Sequence, residues 1–277
     1  MLTIRNEGSR VVTLRFAHCA LLLALVLTGC QQEEPQEEVV VLAVAPDPGL
    51  TSVSSDFAAR AIEAAGGLNV WTKTKEVRLA SVVTLYQPDG SHYISEQSYE
   101  VYPWSNSIQV SAREPQGQLL WQLSNGQFDV LKGGRRLDEL PRELASRDLA
   151  EAVLSIVTAP VRFLDNSAEF AAKGSPVKIQ GQWHQAIDRT PKASILSGPS
   201  VSEAVFYQNT DNSLIDMLQF DSAAMRRTLT IRGYDYDEIE KGGPLVPRRI
   251  EIFTTDKQGN AQDRLFKIAS HTLGTVK

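Results

Sequence analysis

The spacing of apolar residues along the chain changes its period near residue 76. Before that point, apolar residues recur at steps of three or four, as on one face of an amphipathic helix, and they are Phe57, Ala61, Ile62 and Ala65. Ser54 or Ser55 is a suitable cap for the start of this predicted helix. Gly66-Gly67 is a suitable end, because glycine readily adopts the left-handed conformation found there. Trp71 follows as a predicted anchor in the core.

From Glu76 onward, apolar and polar residues alternate, which predicts β-strands. Turn sequences such as Gln87-Pro88-Asp89-Gly90 and Asn125-Gly126 separate the segments, and the second is typical of a two-residue hairpin. The five strands predicted in this half are 76–85, 91–102, 107–113, 118–124 and 127–131. Because the turns between successive strands are short, they favour an antiparallel meander.

A helical pattern interrupts the strands in the middle of the chain. Apolar spacing predicts a helix over 142–158 that Pro160 ends, and a second short helix over 166–172 that closes at Gly174. Alternation then returns and predicts six further strands, at 177–189, 202–209, 214–220, 227–234, 248–255 and 263–272.

This order of elements defines the fold class. A helix, five strands, helices and six strands make an α+β protein with about eleven antiparallel strands. They form one large curved sheet, an open half-barrel, that a few helices cover. A parallel α/β fold requires strands and helices in alternation, and the pattern excludes it.

The first 29 residues have the organisation of a secretory signal. Arg5, Arg10 and Arg15 precede a 13-residue apolar run over 16–28 that ends in small residues. The run is shorter than the about 20 residues that a membrane-spanning helix needs. Its last residues and the next one, Leu27-Thr28-Gly29-Cys30, resemble the bacterial lipobox.

The lipobox resemblance implies a lipid anchor. In bacterial lipoproteins the cysteine sulfur carries a diacylglyceryl group, the chain is cut before that cysteine, and the new amino group is usually acylated. Cys30 is then the lipidated first residue of the mature chain, anchored to a membrane of the cell envelope and facing the periplasm. In enterobacterial lipoproteins, an Asp directly after the lipidated cysteine favours retention at the inner membrane. This chain has Gln31 there, which favours the outer membrane. The alternative is an ordinary secreted protein with a chance cysteine near its cleavage site.

The composition narrows the choice of partners. The chain has 28 basic and 33 acidic residues, and removal of residues 1–29 leaves 25 and 32 in 248 residues, a net charge near −7. Such a chain has no general attraction for nucleic acid or for anionic lipid head groups. Cys19 leaves with the signal and Cys30 carries lipid, so that no pair is left for an intramolecular disulfide.

The chain is therefore expected to have three segments. Residues 1–29 are the signal, residues 30–52 are the lipidated cysteine and a flexible acidic tether, and residues 53–277 are a single domain. Residues 39–42 within the tether are apolar, and a short edge strand is the alternative there.

The opening of the domain carries a second resemblance. The segment 61–71, with the sequence AIEAAGGLNVW, together with the order of elements, is similar to the LolA/LolB superfamily of periplasmic lipoprotein-handling proteins. In that family a half-barrel sheet and its helices enclose an apolar cavity that takes acyl chains or lipid-bearing ligands. The resemblance implies such a cavity here, and the lipid anchor makes this chain more similar to LolB than to the soluble carrier.

The candidate lining of this cavity consists of large apolar residues on the predicted strands and the covering helix. They are Leu85, Tyr99, Leu120, Leu154, Phe163 and Phe206. The alternative for each is an ordinary place in the core, where Leu and Phe are usual.

The sequence contains no recognisable catalytic or metal-binding motif, and we predict no cofactor. His92, His184 and His271 lie in separate predicted strands, without the spacing that two metal ligands need. We interpret His184 as a partly exposed strand residue beside a core Trp183, and the acidic stretch 234–243 as a solvated hairpin loop.

Three functions are compatible with these patterns. The first is a monomeric, non-enzymatic binding protein for a hydrophobic ligand or a lipoprotein. The second is a sensor or scaffold of the same fold, whose cavity is filled by its own side chains and whose partner is another envelope protein. The third is an envelope enzyme with a dispersed active site. A large apolar cavity favours the first function, and a filled core favours the second.

Overall fold

The computed structural model describes residues 56–114, 117–124, 126–137, 140–192, 204–222 and 226–277, without the side chains of 114 and 140–144. The predicted signal and tether, including Cys30 and residues 39–42, lie outside these ranges. So do Ser54, Ser55 and Asn125, at which a helix cap and a hairpin turn are predicted.

One antiparallel sheet of 13 strands makes up most of the described chain. The strands are β1 (Glu76–Tyr86), β2 (His92–Tyr102), β3 (Ser107–Glu114), β4 (Gly117–Ser124), β5 (Gln127–Lys132), β6 (Arg135–Arg136), β7 (Ala168–Ile179), β8 (Gln182–Pro191), β9 (Ala204–Asn209), β10 (Ile215–Ser222), β11 (Arg227–Glu238), β12 (Leu245–Thr255) and β13 (Ala261–Val276). The described helices are α1 (Asp56–Ala64), α2 (Leu68–Lys73), α3 (Leu140–Val157) and α4 (Ala159–Arg162).

The strand order places the two ends of the domain in the middle of the sheet. It runs β6-β5-β4-β3-β2-β1-β13-β12-β11-β10-β9-β8-β7, so that β1 pairs with β13 and the sheet is not closed. The predicted α+β fold with one large antiparallel open sheet is therefore confirmed. Two strands come in addition to the predicted eleven, because β6 is a two-residue strand and the predicted strand 177–189 belongs to two strands.

The curvature of the sheet follows from the position of α3. This helix contacts β3, β4 and β5 on one side and β10, β11 and β12 on the other. In a flat sheet β4 and β11 would lie about 29 Å apart, at about 4.8 Å per strand, whereas a helix is only about 10 Å wide. The two halves of the sheet, β6 to β1 and β13 to β7 in the strand order, therefore curl around α3 as two wings. We call the concave side between them the trough.

The predicted helix over 166–172 is wrong, since these residues belong mostly to β7. Cross-strand pairs such as Phe170–Arg189 and Ala172–Ile187 override the helix propensity of the alanine-rich segment. Because β7 is an edge strand with most side chains exposed, it lacks the apolar alternation that reveals other strands. Gln180 and Gly181, both with positive φ, form the turn that divides the predicted strand 177–189.

Two further boundaries differ from the prediction. The helix α3 ends at Val157, and Pro160 lies in the first turn of α4, where a missing N–H costs no helical hydrogen bond. The predicted loop 234–243 is in part a strand, because β11 continues to Glu238. Tyr236 holds it there, since its hydroxyl donates to the Ile215 carbonyl at 2.7 Å.

The turn between α1 and α2 is fixed by Trp71, which is fully buried as predicted. Its indole Nε1 donates to the Ala65 carbonyl oxygen at 3.0 Å, and the Leu245 amide of β12 donates to the same oxygen at 3.0 Å. Gly66 and Gly67 both have positive φ. This conformation lets the chain reverse direction within two residues and brings Trp71 back over the end of α1.

Candidate functional site

The trough is occupied by the protein's own helix. From residue 148 to 157, most α3 side chains are buried, on every face of the helix, and the apolar ones are Leu149, Ala150, Ala152, Val153, Leu154, Ile156 and Val157. A helix that is apolar all round requires apolar surroundings on all sides. The two wings of the sheet supply these surroundings, so α3 fills most of the space that an open trough would offer to a ligand.

A small cleft lies beside α3, between α4, β4 and the strands β8–β10, and we call it the α3 cleft. Two other pockets of the described residues are larger, about 320 Å³ over β1–β4 and about 300 Å³ between α1, α4 and β7. The volume of the α3 cleft is about 80 Å³, which corresponds to about two or three water molecules at about 30 Å³ each. Pockets for small molecules usually measure about 300–1,000 Å³. Apolar and polar residues both contribute to the cleft, and they include Leu123, Leu154, Phe206, Leu218, Phe220, Asn106, Arg147, Glu151, Arg162 and Arg189.

Three of the six predicted lining residues lie at or beside the α3 cleft. Leu154 and Phe206 line it, and the ring of Phe163 lies 5.6 Å from that of Phe206, outside the lining itself. Phe163 also contacts Phe57 of α1 at 5.6 Å and Phe170 of β7 at 4.9 Å between ring centroids. This aromatic cluster joins α1, α4 and the β7–β9 wing into one packed unit.

The structure places the other three predicted residues elsewhere. Tyr99 is fully buried, and its hydroxyl donates to Gln97 Oε1 at 2.5 Å. Leu85 is half-buried and packs against the edge of the core. Leu120 is half-buried on the outer face of β4, because side chains alternate along a strand and its neighbours Leu119 and Trp121 point inward.

Two arginines at the α3 cleft are the residues that the sequence patterns missed. Arg189 of β8 is only 8% exposed, and its Nη2 donates to Asp165 Oδ2 at 2.8 Å. The buried Arg189 Nε has no hydrogen-bond partner among the described residues. Arg162 of α4 donates from Nε to Thr158 Oγ1 at 3.0 Å and from Nη2 to Asn106 Oδ1. Burial and the neighbouring Arg189 lower the pKa of Arg162 to about 10.

Two carboxylates of α3 also lie in apolar surroundings. Asp148 is almost fully buried, and its Oδ1 accepts a hydrogen bond from Ser222 Oγ at 2.6 Å, whereas its Oδ2 has no partner in the described structure. Burial raises the pKa of Asp148 and of Glu151, and Arg147 on the same helix partly offsets this in both. The neutral form of each carboxyl group is therefore favoured relative to an exposed one.

The interpretation of the pair Trp183 and His184 is wrong in both parts. Trp183 is 50% exposed, whereas His184 is 4% exposed. Trp183 is on the inward-facing side of β8, but it lies near the tip of the β7–β8 hairpin, beyond the packed part of the sheet. Its side chain is therefore not buried. His184 Nε2 lies 2.9 Å from Asp216 Oδ1, and Nδ1 lies 3.2 Å from the Gln182 carbonyl oxygen.

The contact between His184 and Asp216 has the features of a structural contact. Both ring nitrogens of His184 face acceptors, and Asn209 Nδ2 donates to the second oxygen of Asp216 at 3.1 Å. The ring is buried and does not line the α3 cleft. Among the described residues, no three of the side chains that ligate metals come together, and no described helix is both long and apolar enough to cross a bilayer.

Comparison with known proteins identifies the fold. The chain matches no protein-family model and no curated protein. It is similar to the crystal structure of a LolA superfamily protein from Nitrosomonas europaea, with a TM-score of 0.53 and 15% identity over 79% of this chain and 94% of that one. The fold is therefore LolA-like, as the element order and the 61–71 segment imply.

Two other solved structures match at lower scores. One is a putative outer membrane lipoprotein-sorting protein domain from Vibrio parahaemolyticus, with a TM-score of 0.48 and 11% identity over 79% of this chain and 93% of that one. The other is a DUF1329 family protein from Desulfovibrio piger, with a TM-score of 0.45 and 12% identity over 79% and 90%.

Proposed function

We propose that this protein is a lipid-anchored binding protein of the cell envelope that admits one apolar chain, from a lipid or a lipoprotein, into the trough when α3 shifts. The observation that carries the proposal is the α3 cleft, where an apolar wall of Leu154, Phe206, Leu218 and Phe220 adjoins a helix that occupies the trough. The present volume of about 80 Å³ is too small for an acyl chain. Entry of such a chain at the α3 cleft therefore requires α3 to move, and α3 acts as a plug.

The polar atoms around α3 support such a movement. Asp148 Oδ2 on the helix and Trp121 Nε1 on the inward face of β4 are buried, and neither has a hydrogen-bond partner in the described structure. A buried polar atom without a partner costs about 1–3 kcal/mol. The packing of α3 in the trough is weaker by these amounts than an all-apolar contact would be, so displacement of the helix by a ligand costs less.

The anchor and the location are part of the same proposal. Cys30 carries the lipid, residues 31–52 act as the tether, and residues 53–277 form the binding domain, which faces the periplasm, with the outer membrane favoured. A binding domain held close to a membrane is well placed to receive or deliver an apolar chain. We propose a binding role and not a catalytic one, since the LolA-like fold and the α3 cleft offer no arrangement of nucleophile and base that we can identify among the described side chains.

A second candidate is a sensor or scaffold that acts through protein–protein contacts. The small volume of the α3 cleft favours it, because a trough filled by α3 needs no ligand for its stability. Exposed apolar residues are then available for contact with an envelope partner, and they include Trp183 and Val177 near the β7–β8 hairpin tip and Ile94 on β2.

Binding of a neutral apolar fluorophore separates the two candidates. We expect the wild-type protein to bind N-phenyl-1-naphthylamine with increased emission and to release it when dodecanol is added. Leu154→Trp fills the α3 cleft and should weaken this binding about tenfold or more. Leu120→Trp places the same bulk on the outer face of β4 and should leave it unchanged. Absence of binding by the wild type, with no lipid found by native mass spectrometry, contradicts the binding role and leaves the scaffold.

Replacement of the cysteine tests the anchor. Cys30→Ser should abolish incorporation of radiolabelled palmitate and shift the protein from the detergent-soluble membrane fraction to an unprocessed or soluble form. If the Cys30→Ser variant still incorporates palmitate and is processed like the wild type, Cys30 does not anchor the protein.

A further inference from the structure

We propose that Arg162 and Arg189 form an oxyanion site at the α3 cleft, which takes the carboxylate or phosphate head group of the ligand. The identity of the ligand as an amphiphile rests on the proposed function, whereas the oxyanion site itself rests on the two arginines. The ligand class that follows is an anionic amphiphile, such as a fatty acid or a monoalkyl phosphate.

On the α4 side of the α3 cleft, the protein supplies fewer carboxylates than arginines. Arg147 has Asp148 and Glu151 on its own helix, and Arg189 is paired with Asp165. Arg162 donates hydrogen bonds only to neutral partners, Thr158 and Asn106, among the described residues, and the carboxylate that interacts with its charge is Asp165, which already binds Arg189. Two guanidinium groups at a partly buried cleft therefore share one carboxylate, that of Asp165. The unbalanced charge is costly unless a counter-ion reaches it.

The hydrogen-bond donors are not used up either. Arg189 is more than nine-tenths buried and lines the cleft, and its Nε has no partner in the described structure, so that this one donor is desolvated without compensation. On Arg162, Nε and Nη2 are engaged and Nη1 has no partner in the described part of the chain. Guanidinium groups donate in a planar fork that matches the oxygens of a carboxylate or a phosphate. An oxyanion between them would satisfy donors of both residues at once.

The positions of these groups are fixed by the fold. Asn106, in the turn between β2 and β3, holds Arg162 from one wing of the sheet, and Asp165 holds Arg189 from the loop after α4. The Phe170 ring lies 6.0 Å from the Arg189 guanidinium carbon and supports it from β7. The two arginines are thus restrained before any ligand arrives, which reduces the entropy that binding would otherwise cost.

The size and the walls of the α3 cleft favour an oxyanion over other ligands. The volume of about 80 Å³ suits a carboxylate or phosphate group that displaces two or three waters, but not an acyl chain. The apolar wall begins at the same place, with Leu154, Phe206 and Phe220. A head group bound to the arginines therefore directs its chain along this apolar wall, into the space that α3 leaves when it moves.

The experiment compares head groups on one chain length. Displacement of N-phenyl-1-naphthylamine is measured with dodecanoate, dodecyl phosphate and dodecanol below their micelle concentrations, at constant ionic strength. We expect the two anions to compete at concentrations about tenfold or more below that of dodecanol, the factor that one charge-assisted hydrogen bond provides. Arg162→Gln should remove this preference and retain dodecanol binding, and Arg162→Lys should restore part of it. Arg113→Gln, at an exposed arginine paired with Glu96, is the matched control and should change nothing.

A second arm tests the oxyanion without a chain. Inorganic phosphate should raise the melting temperature of the wild type relative to chloride of equal ionic strength, and should not do so in Arg162→Gln. If phosphate acts in this way but no dodecyl compound binds, the oxyanion site stands with a free anion as its ligand, and the proposed function falls. If dodecanol competes as well as the anions and phosphate has no effect, the oxyanion site is refuted while the proposed function stands.

Discussion

Two helical segments pack on the same concave face of the sheet, and they differ in how their polar atoms are satisfied. The pair α1–α2 covers the end of the trough, and α3 runs within it. Both bury large apolar side chains against the strands. Their apolar contacts are thus similar in kind, and the difference lies in the hydrogen bonds.

The α1–α2 segment has its buried polar atoms paired. Trp71 Nε1 bonds the Ala65 carbonyl oxygen, and Gln208 Nε2 donates to the Phe57 carbonyl oxygen at 2.9 Å. Trp104 Nε1 lies 3.1 Å from the Thr74 carbonyl oxygen, to which it donates. Hydrogen bonds thus connect these helices to β9 and to the turn after β2, and Leu245 adds one from β12. Such a segment is a permanent part of the fold.

The surroundings of α3 hold three of the buried polar atoms that have no partner in the described structure, namely Trp121 Nε1, Asp148 Oδ2 and Arg189 Nε. Buried polar groups are almost always hydrogen-bonded in native proteins, so a group of exceptions in one place needs an explanation. The one that we favour is that α3 and the arginines beside it form a contact that a ligand completes or replaces. By this comparison, α1–α2 is a fixed part of the fold, and α3 is the segment that responds to a ligand.

The largest expected effect of a substitution is in the α1–α2 segment. Trp71→Ala removes a fully buried indole and its hydrogen bond and should lower the free energy of unfolding by about 3–5 kcal/mol. Urea denaturation followed by circular dichroism measures this. If the free energy of unfolding fell by less than about 1 kcal/mol, the size of an average substitution, this segment would contribute no more to stability than an ordinary site. The contrast with α3 would then fail.

A matched pair of tryptophan substitutions isolates the hydrogen bonds. Trp71→Phe and Trp121→Phe remove the same atoms from buried sites, but the first loses the bond to Ala65 and the second loses a donor that has no partner. We expect Trp71→Phe to be the more destabilising of the two by about 1–3 kcal/mol. Equal losses in urea denaturation would show that Trp121 Nε1 is satisfied in solution, which would remove one argument for a displaceable α3.

The sequence predicts the fold of this protein better than its site. Alternation in 76–86 reports directly which side chains face the core, so the meander and its open sheet could be read from it. The edge strand β7 could not, because its exposed side chains leave no alternation to detect. Leu119-Leu120-Trp121 is apolar throughout, and only the register of the sheet shows that Leu120 points outward.

The arginine pair illustrates the remaining limit of the sequence. Arg162 stands in an otherwise apolar stretch after α3, and Arg189 lies on the same inward face of β8 as Ile187. Both are signals of a charge beside the core. Neither signal says that the two meet. Their proximity depends on where β8 pairs and where α4 lies, and that is set by contacts far apart in the sequence.

The smallest effect that we predict concerns the pH dependence of the α3 packing. Burial raises the pKa of Asp148 above its value in the unfolded chain, so folding favours the protonated form. The stabilisation from that proton is fully present below the unfolded value of about 3.9 and is lost as the pH rises through the raised value. Asp148→Asn removes the charge and keeps an oxygen for Ser222 Oγ. The variant should therefore be more stable than the wild type at pH 7, and the difference should vanish near pH 3.5.

Asp89→Asn is the control with the opposite sign. Asp89 lies on the surface, and hydrogen bonds from the Ser91 side chain and backbone lower its pKa, so that its contribution is present at neutral pH and is lost on acidification. Thermal unfolding of both variants between pH 3.5 and 7.5 should give opposite slopes relative to the wild type. If Asp148→Asn is destabilising by the same amount at every pH, the Asp148 carboxylate is well accommodated in α3. The two helical segments would then be equally firm, and α3 would have to be regarded as core rather than plug.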